Sequence, residues 1–143
     1  DLHKAIRRQR QMCIRDRVVD AVADGQRTFL IASHNLIELD GLSDRVLFVK
    51  GGRISRDLTL EDVRQQAVKL QLVFKTNKIP AVVKQYGRIL NIRGRVIEAV
   101  FPDFNQEIQA ALAAEQPVLN ESLPLSLSDL FKVEFRPHHS GVK

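Results

Sequence analysis

The stretch TFLIASHN, residues 28–35, organises the interpretation of the whole chain. It follows a helix-stop signal at Asp24-Gly25 and holds a short apolar run, which predicts a buried strand of a mostly parallel sheet. Ligands of such sheets bind beyond the carboxyl ends of the strands, and Ser33 and His34 come at that end of the run. The pair is therefore a candidate site, although a lone histidine after a strand more often has a structural role.

The amino-acid composition excludes several classes of protein. The 143 residues suffice for one ordinary domain or two small ones, and 44% hydrophobic with 27% charged residues is typical of a globular protein. The longest apolar runs are far shorter than the roughly 20 residues of a membrane span. The net charge of +5 is scattered, apart from five arginines between residues 7 and 17. The single Cys13 excludes an internal disulfide and a cysteine-built zinc site, and it fits a reducing compartment.

The first helix carries a broken pattern. Residues 2–24 have helical composition, but the apolar spacing around Ala5-Ile6 and that of residues 18–22 do not share one helical phase. Between them lies MCIRDR, residues 12–17, which resembles a translated sequencing-adapter read-through and is interpreted as a non-native insert. Six residues rotate a helix by about 600°, which leaves about 240° and misdirects the packing face. The start at Asp1, without an initiating methionine, predicts a piece of a longer protein.

Residues 1–66 are predicted to be the end of an α/β domain. Asn35 and Glu38 have capping-box spacing for a short helix. Residues 45–50 predict a second buried strand, Gly51-Gly52 a tight hairpin turn, and residues 53–56 the returning strand. Thr59 is the predicted N-cap of a helix that continues to about residue 66.

Residues 67–136 predict a second, ferredoxin-like domain. The first half should contain a half-buried strand from residue 68, a helix over 79–86 that Gly87 stops, and hairpin strands over 89–93 and 96–101. The second half should contain a helix over 103–114 with Asp103 as its cap, a strand from residue 118, and a short helix capped by Ser126. This is the β-α-β-β-α-β order followed by a helix. Residues 137–143 are expected to be a disordered tail.

In this order the motifs resemble the carboxyl-terminal end of the ATP-binding subunit of ATP-binding-cassette (ABC) transporters. TFLIASHNL, residues 28–36, is similar to the family's H-loop strand, and LSDRVLFVKGGRI, residues 42–54, to the strand and hairpin that follow. LSLSDLF, residues 125–131, is similar to the ending of export-type cassettes with a small accessory domain. Asp1 resembles the last residue of the D-loop, and deleting residues 12–17 restores the family's spacing from there to His34. The implied fold is the α/β carboxyl-terminal part of a P-loop NTPase domain followed by a small α+β ferredoxin-like accessory domain.

The resemblance also implies roles and partners. His34 would be the switch that contacts the γ-phosphate of ATP, Ser33 a weaker nucleotide-site residue, and Asp1 a D-loop contact to a second ATPase subunit. ATP and Mg²⁺ would be cofactors of the intact parent ATPase. Its partners would be a transmembrane permease and the second ATPase subunit, and its location the cytoplasmic face of the plasma membrane, most naturally in a bacterium.

The other motifs of an ATP site do not occur in these 143 residues. There is no Gly-x-x-x-x-Gly-Lys-Ser/Thr phosphate loop, no Q-loop, no Leu-Ser-Gly-Gly-Gln signature and no strand with the magnesium-binding Asp and catalytic Glu. A lone switch histidine cannot hold ATP. We therefore expect that this chain by itself neither binds nor hydrolyses ATP and carries no cofactor.

Three other sites or functions compete with this interpretation. His138 and His139 have no third ligand at metal spacing, so no metal site is expected. A basic ferredoxin-like module could bind RNA, but the aromatic motif of RNA-binding sheets is absent, and no nucleic-acid partner is expected. Residues 68–135 could alternatively be a regulatory, ligand-sensing or dimerising domain.

Overall fold

The computed structural model describes residues 2–135, without the side chains of residues 7–13. These residues form two compact units, 2–44 and 45–135. Asp1 and the predicted tail, residues 137–143, lie outside the described residues. The expected domain boundary between residues 66 and 67 falls inside the second unit and stays a prediction. Among the described residues, no helix combines the length and the apolar character needed to cross a bilayer.

The first unit opens with one long helix. Helix α1 (Leu2–Val22) runs through residues 12–17 without a break. Its predicted stop is confirmed, because Gly25 has φ +69° and its amide donates to the Val22 carbonyl oxygen at 2.9 Å. Apolar side chains on this helix remain exposed, Leu2 to 75% and Ile14 to 62%. They do not form one buried face, as the broken pattern predicts.

The predicted strand over residues 28–33 is wrong. These residues are extended but belong to no sheet, and Phe29, Leu30 and Ile31 are 46%, 91% and 44% exposed. A strand needs a neighbour to pair with its amides and carbonyls, and a parallel strand is normally covered on both faces. Every strand of the described residues pairs antiparallel within residues 45–123, so none is paired with this segment.

The helix after this segment is shorter than a capping box implies. Helix α2 (Leu36–Leu39) is a single turn, and the side chain of Asn35 at its N-cap makes no capping hydrogen bond. The capping box of Asn35 and Glu38 is therefore a wrong prediction. Asn35 has φ −91° and ψ +88° rather than extended backbone, and its amide is already bonded to the Ser33 hydroxyl.

A two-stranded hairpin begins the second unit. Strands β1 (Arg45–Lys50) and β2 (Arg53–Thr59) pair antiparallel, with a bulge between Phe48 and Val49. The predicted turn is confirmed, because Gly51 and Gly52 have φ +58° and +75°, as a two-residue type I′ turn requires. Helix α3 (Leu60–Gln66) follows, with Thr59 at its N-cap but without a side-chain capping bond.

The rest of the unit is a four-stranded antiparallel sheet with three helices. The elements are β3 (Val68–Val73), α4 (Ala81–Tyr86), β4 (Arg88–Arg93), β5 (Val96–Phe101), α5 (Gln106–Ala114), β6 (Leu119–Leu123) and α6 (Leu127–Phe135). The strand order is β4-β5-β3-β6. The β-α-β-β-α-β-α order of elements is the one predicted from the sequence, and the protein is a mixed α/β structure.

The core lies between one face of this sheet and helices α4 and α5. Leu72, Ala99 and Phe101 of the sheet and Val83 and Leu112 of the helices are all completely buried. The helical spacing of Phe104, Ile108, Ala111 and Leu112 predicts that they form the inner face of the helix, and all four are in the core or pack against it. The cap prediction was wrong, because the Asn105 side chain, and not Asp103, accepts the Ile108 amide at 2.9 Å.

Gly87 ends α4 as predicted, but for a different physical reason. Its φ is −91°, so no left-handed backbone is involved. A Cβ atom at this position would lie 2.7 Å from the Val83 carbonyl oxygen and 3.2 Å from the Phe101 ring. Close packing of α4 on β5 therefore requires the glycine.

Candidate functional site

His34 lies in a bend between the extended segment and α2, and its side chain is exposed. The Ser33 hydroxyl accepts a hydrogen bond from the Asn35 amide at 3.0 Å, which closes a short turn around His34. Within the described part of the chain the imidazole forms no hydrogen bond and no ion pair. Ser33 thus fixes the backbone of the bend, and the bend presents the His34 imidazole to solvent.

Asp1, the other predicted site residue, lies outside the described residues. So do His138 and His139, for which no metal site was predicted. Across residues 2–135, wherever side chains are described, no group of three or more His, Cys, Asp or Glu side chains could hold a metal ion. The roles given to His34, Ser33 and Asp1 stay predictions.

The Ser-Asp-Arg-Val motif contributes an ion pair to the hairpin. Arg45 Nε and Nη2 donate to Asp57 Oδ1 and Oδ2 at 2.7 and 2.5 Å, a two-bond fork across β1 and β2. The hydrogen bond from Arg45 holds the pKa of the Asp57 carboxyl below its usual range. Both side chains are substantially exposed, so solvent screens the pair. The pair links β1 to β2 at the surface.

A second charged pair is largely buried, and the sequence did not reveal it. Lys69 Nζ on β3 lies 3.1 Å from Asp129 Oδ2 on α6, and the two side chains are only 15% and 9% exposed. The Ser126 amide also donates to Asp129 Oδ2, and the Asp129 amide donates to Ser126 Oγ, both at 3.1 Å. The cap at Ser126 was predicted correctly. The partner at Lys69 is 60 residues away and had no sequence signal.

The environment of Asp129 shifts its acidity. Burial raises the pKa of the carboxyl, but hydrogen bonds from the Ser126 amide, Lys69 and the Ser126 hydroxyl outweigh burial and hold the pKa below its usual range. The carboxylate is therefore the stable form in the folded chain. Its negative charge anchors the first turn of α6 to β3.

Three phenylalanines join α6 to the hairpin. Phe48 of β1 is 4% exposed, and its ring centroid lies 5.9 Å from that of Phe131 and 5.7 Å from that of Phe135, both in edge-to-face geometry. Lys50 Nζ lies 5.8 Å from the centroid of the Phe135 ring. The prediction of a buried strand over residues 45–50 is wrong except at Phe48, because β1 belongs to a two-stranded hairpin and Leu47 and Val49 stay 40% and 64% exposed. Nothing in the sequence identifies the helix that covers Phe48.

A cleft of about 440 Å³ lies beside the Lys69–Asp129 pair. Its lining includes Arg64 of α3, Lys69 of β3 and Ser122 of β6. None of the predicted site residues lines it.

The comparisons with known proteins agree with the motif-based resemblance. The chain is similar to an ATP-binding protein of ABC transporters, as its motifs predicted, and this prediction is confirmed. The relative is the ABC transporter ATP-binding protein YtrB of Bacillus subtilis (strain 168), 25% identical over 118 residues. The match covers 82% of this chain, whereas the chain spans only 40% of the length of the relative. No protein-family profile and no solved structure gives a significant match.

Proposed function

We propose that this chain is the carboxyl-terminal part of the ATP-binding and ATP-hydrolysing subunit of an ABC transporter. The extent of the similarity to the relative carries the proposal. A match of 118 residues leaves only 25 of the 143 unmatched, so it spans residues 26–118 wherever it begins. It therefore includes both the segment that ends at His34 and most of the four-stranded sheet.

Within that subunit, we assign His34 the role of the switch that contacts the γ-phosphate of ATP. An imidazole can donate from either nitrogen and can change its charge beside a phosphate, which suits this position. Its exposure in the bend and the hydrogen bond from Asn35 to Ser33 are compatible with the assignment. Asp1 would contact the second ATPase subunit, and ATP with Mg²⁺ would be bound by the intact parent and not by this chain.

The partners follow from the same proposal. A transmembrane permease would carry the substrate, and this subunit would attach to it at the cytoplasmic face of the membrane as one of two ATPase subunits. The permease would also select the substrate.

Residues 68–135 are proposed to be a ferredoxin-like accessory domain with a regulatory, ligand-sensing or dimerising role. The observed strand order β4-β5-β3-β6 is the order of that fold, in which the first and third strands are central. RNA binding, the alternative function of such a domain, receives no support. Phe101 is the one aromatic residue of strands β3 to β6, and its ring is fully buried.

The direct test of the parentage is the reading frame upstream of residue 1 in the source DNA. We expect a phosphate loop and a signature motif there, with uninterrupted coding once residues 12–17 are removed. An upstream frame without a phosphate loop would overturn the proposal.

The role of His34 is tested by ATP hydrolysis in the complete subunit. We expect His34→Ala to lower turnover by at least about 100-fold, within the range of a group acting in the transition state. His138→Ala, a histidine without an assigned role, is the matched control and is expected to leave turnover unchanged. Equal turnover of the two variants would exclude the switch role.

The chain as it stands gives a simpler measurement. Its melting temperature is expected to be the same with and without millimolar MgATP, because most of the nucleotide site is missing. A ligand that bound the folded state would raise the melting temperature. A concentration-dependent rise would refute the expectation that this chain does not bind ATP.

A further inference from the structure

Helix α6 contacts both sheets of the second unit. Its first turn is tied to β3 of the four-stranded sheet by the buried pair of Asp129 with Lys69. Its carboxyl-terminal half contacts the hairpin, where Phe131 and Phe135 pack on Phe48. In the same part of the helix, Glu134 lies 3.3 Å from Arg56 of β2. One nine-residue helix thus makes ionic contact with each sheet.

The hairpin has little other apolar burial of its own. Of residues 45–59 only Phe48 is buried, while the outward side chains of Leu47, Val49 and Ile54 are 40%, 64% and 60% exposed. An isolated two-stranded hairpin is at best marginally stable in water. The rings of α6 therefore supply the main aromatic packing that the hairpin receives.

The anchoring of α6 does not depend on the hairpin. The Ser126 hydroxyl and the Asp129 carboxylate cap the helix reciprocally, and Lys69 holds this cap against β3. Leu127 next to the cap is 2% exposed. The amino-terminal end of α6 is fixed to the four-stranded sheet, and the carboxyl-terminal end reaches the hairpin.

We propose that α6 is a clasp that holds the β1–β2 hairpin to the four-stranded sheet, with the Ser126–Asp129–Lys69 cluster as its latch. The stability of the hairpin then depends on residues about 80 positions further along the chain. This inference does not rest on the proposed ATPase function. If that function also holds, the accessory domain fixes the last hairpin of the ATPase segment and is not a loosely tethered appendage.

The experiment is amide hydrogen exchange on the full chain without nucleotide, comparing the hairpin, residues 45–59, with strands β3 and β5. Phe135→Ala removes a ring that packs on Phe48 at the hairpin end of α6. Ser126→Ala removes the hydroxyl that accepts the Asp129 amide at the other end of the helix. We expect exchange in the hairpin to become about tenfold faster in Phe135→Ala and severalfold faster in Ser126→Ala, because local opening costs less. Strands β3 and β5 should keep their protection.

Asn105→Ala is the matched control, because it removes the same kind of cap from α5, which packs in the core of the four-stranded sheet. It should accelerate exchange in α5 and leave the hairpin at its original rate. The clasp is refuted if α6 amides become faster in Ser126→Ala and Phe135→Ala while hairpin amides do not. It is equally refuted if Asn105→Ala accelerates the hairpin as much, since that result indicates global unfolding.

Discussion

Two short runs of this chain, residues 29–31 and 70–72, were both predicted to be strands but differ in burial. The first was predicted from an unbroken apolar stretch and the second from alternating apolar and polar residues. Leu30 in the first run is 91% exposed, whereas Leu72 in the second is completely buried. The second run lies in β3, which has β5 on one side and β6 on the other. The first run has no paired neighbour among the described residues, so strand propensity without a partner does not produce a strand.

The largest expected effect tests this comparison with one type of substitution at both places. Leu72→Ala should lower the free energy of unfolding by about 4 kcal/mol, because it leaves a cavity in a closed core. Leu30→Ala should change it by less than about 0.5 kcal/mol, because the side chain already faces water. Urea unfolding of both variants gives the values. Similar losses in the two variants would mean that the first run is buried in solution.

A smaller effect extends the comparison to charged residues. Asp129→Asn should lower the free energy of unfolding by about 2 kcal/mol, since it leaves the Lys69 ammonium poorly solvated and without a charged partner. Asp57→Asn is the exposed counterpart, and no resolvable change is expected because water solvates Arg45. Urea unfolding at neutral pH distinguishes the two. A larger loss in Asp57→Asn than in Asp129→Asn would contradict the burial of the Lys69–Asp129 pair.

The same carboxylate predicts how stability depends on pH. Its pKa in the folded chain lies below the unfolded value of about 3.9, so unfolding takes up protons in acid. The contribution of Asp129 is fully present above about pH 5 and is lost as the pH falls through 3.9 toward the folded pKa. Melting temperatures of the original chain should therefore fall more steeply than those of Asp129→Asn between about pH 5 and 3. Parallel curves would show that the folded carboxyl has an ordinary pKa.

Short-range signals in the sequence identified the second unit well. Glycines at 51 and 52 predicted the hairpin turn, and the alternation after residue 68 predicted β3. Ser126 was correctly predicted as a cap because the bond it makes spans only three residues. Each of these features depends only on residues that are close together in the sequence, so a single sequence is enough to predict it.

Features that depend on distant contacts were missed or wrong. The pairing of Lys69 with Asp129 requires β3 and α6 to be adjacent. The burial of Phe48 requires the rings of α6 to pack on β1. The strand predicted at residues 28–33 failed for the same reason, since its existence depended on a neighbour that local composition cannot supply. The site follows this division. The bend at His34 depends on a local hydrogen bond from the Asn35 amide to the Ser33 hydroxyl, whereas the role proposed for His34 would require a phosphate and further protein groups around it.

The smallest expected effect concerns the helix that precedes the exposed run. At about 100° per residue, Leu2 and Ile6 lie on one side of α1 and Val19 and Val22 on the opposite side. Removing residues 12–17 brings these four residues within an arc of about 80°. We expect the shortened chain to bind more of an apolar fluorescent dye, by less than about twofold, because the separate apolar residues of α1 become one stripe. Replacing residues 12–17 by six alanines keeps the length and the phase, so its dye binding should match that of the original chain. If the alanine chain and the shortened chain bind equally, composition and not helical phase controls the exposed surface, and the phase argument for a non-native insert is lost.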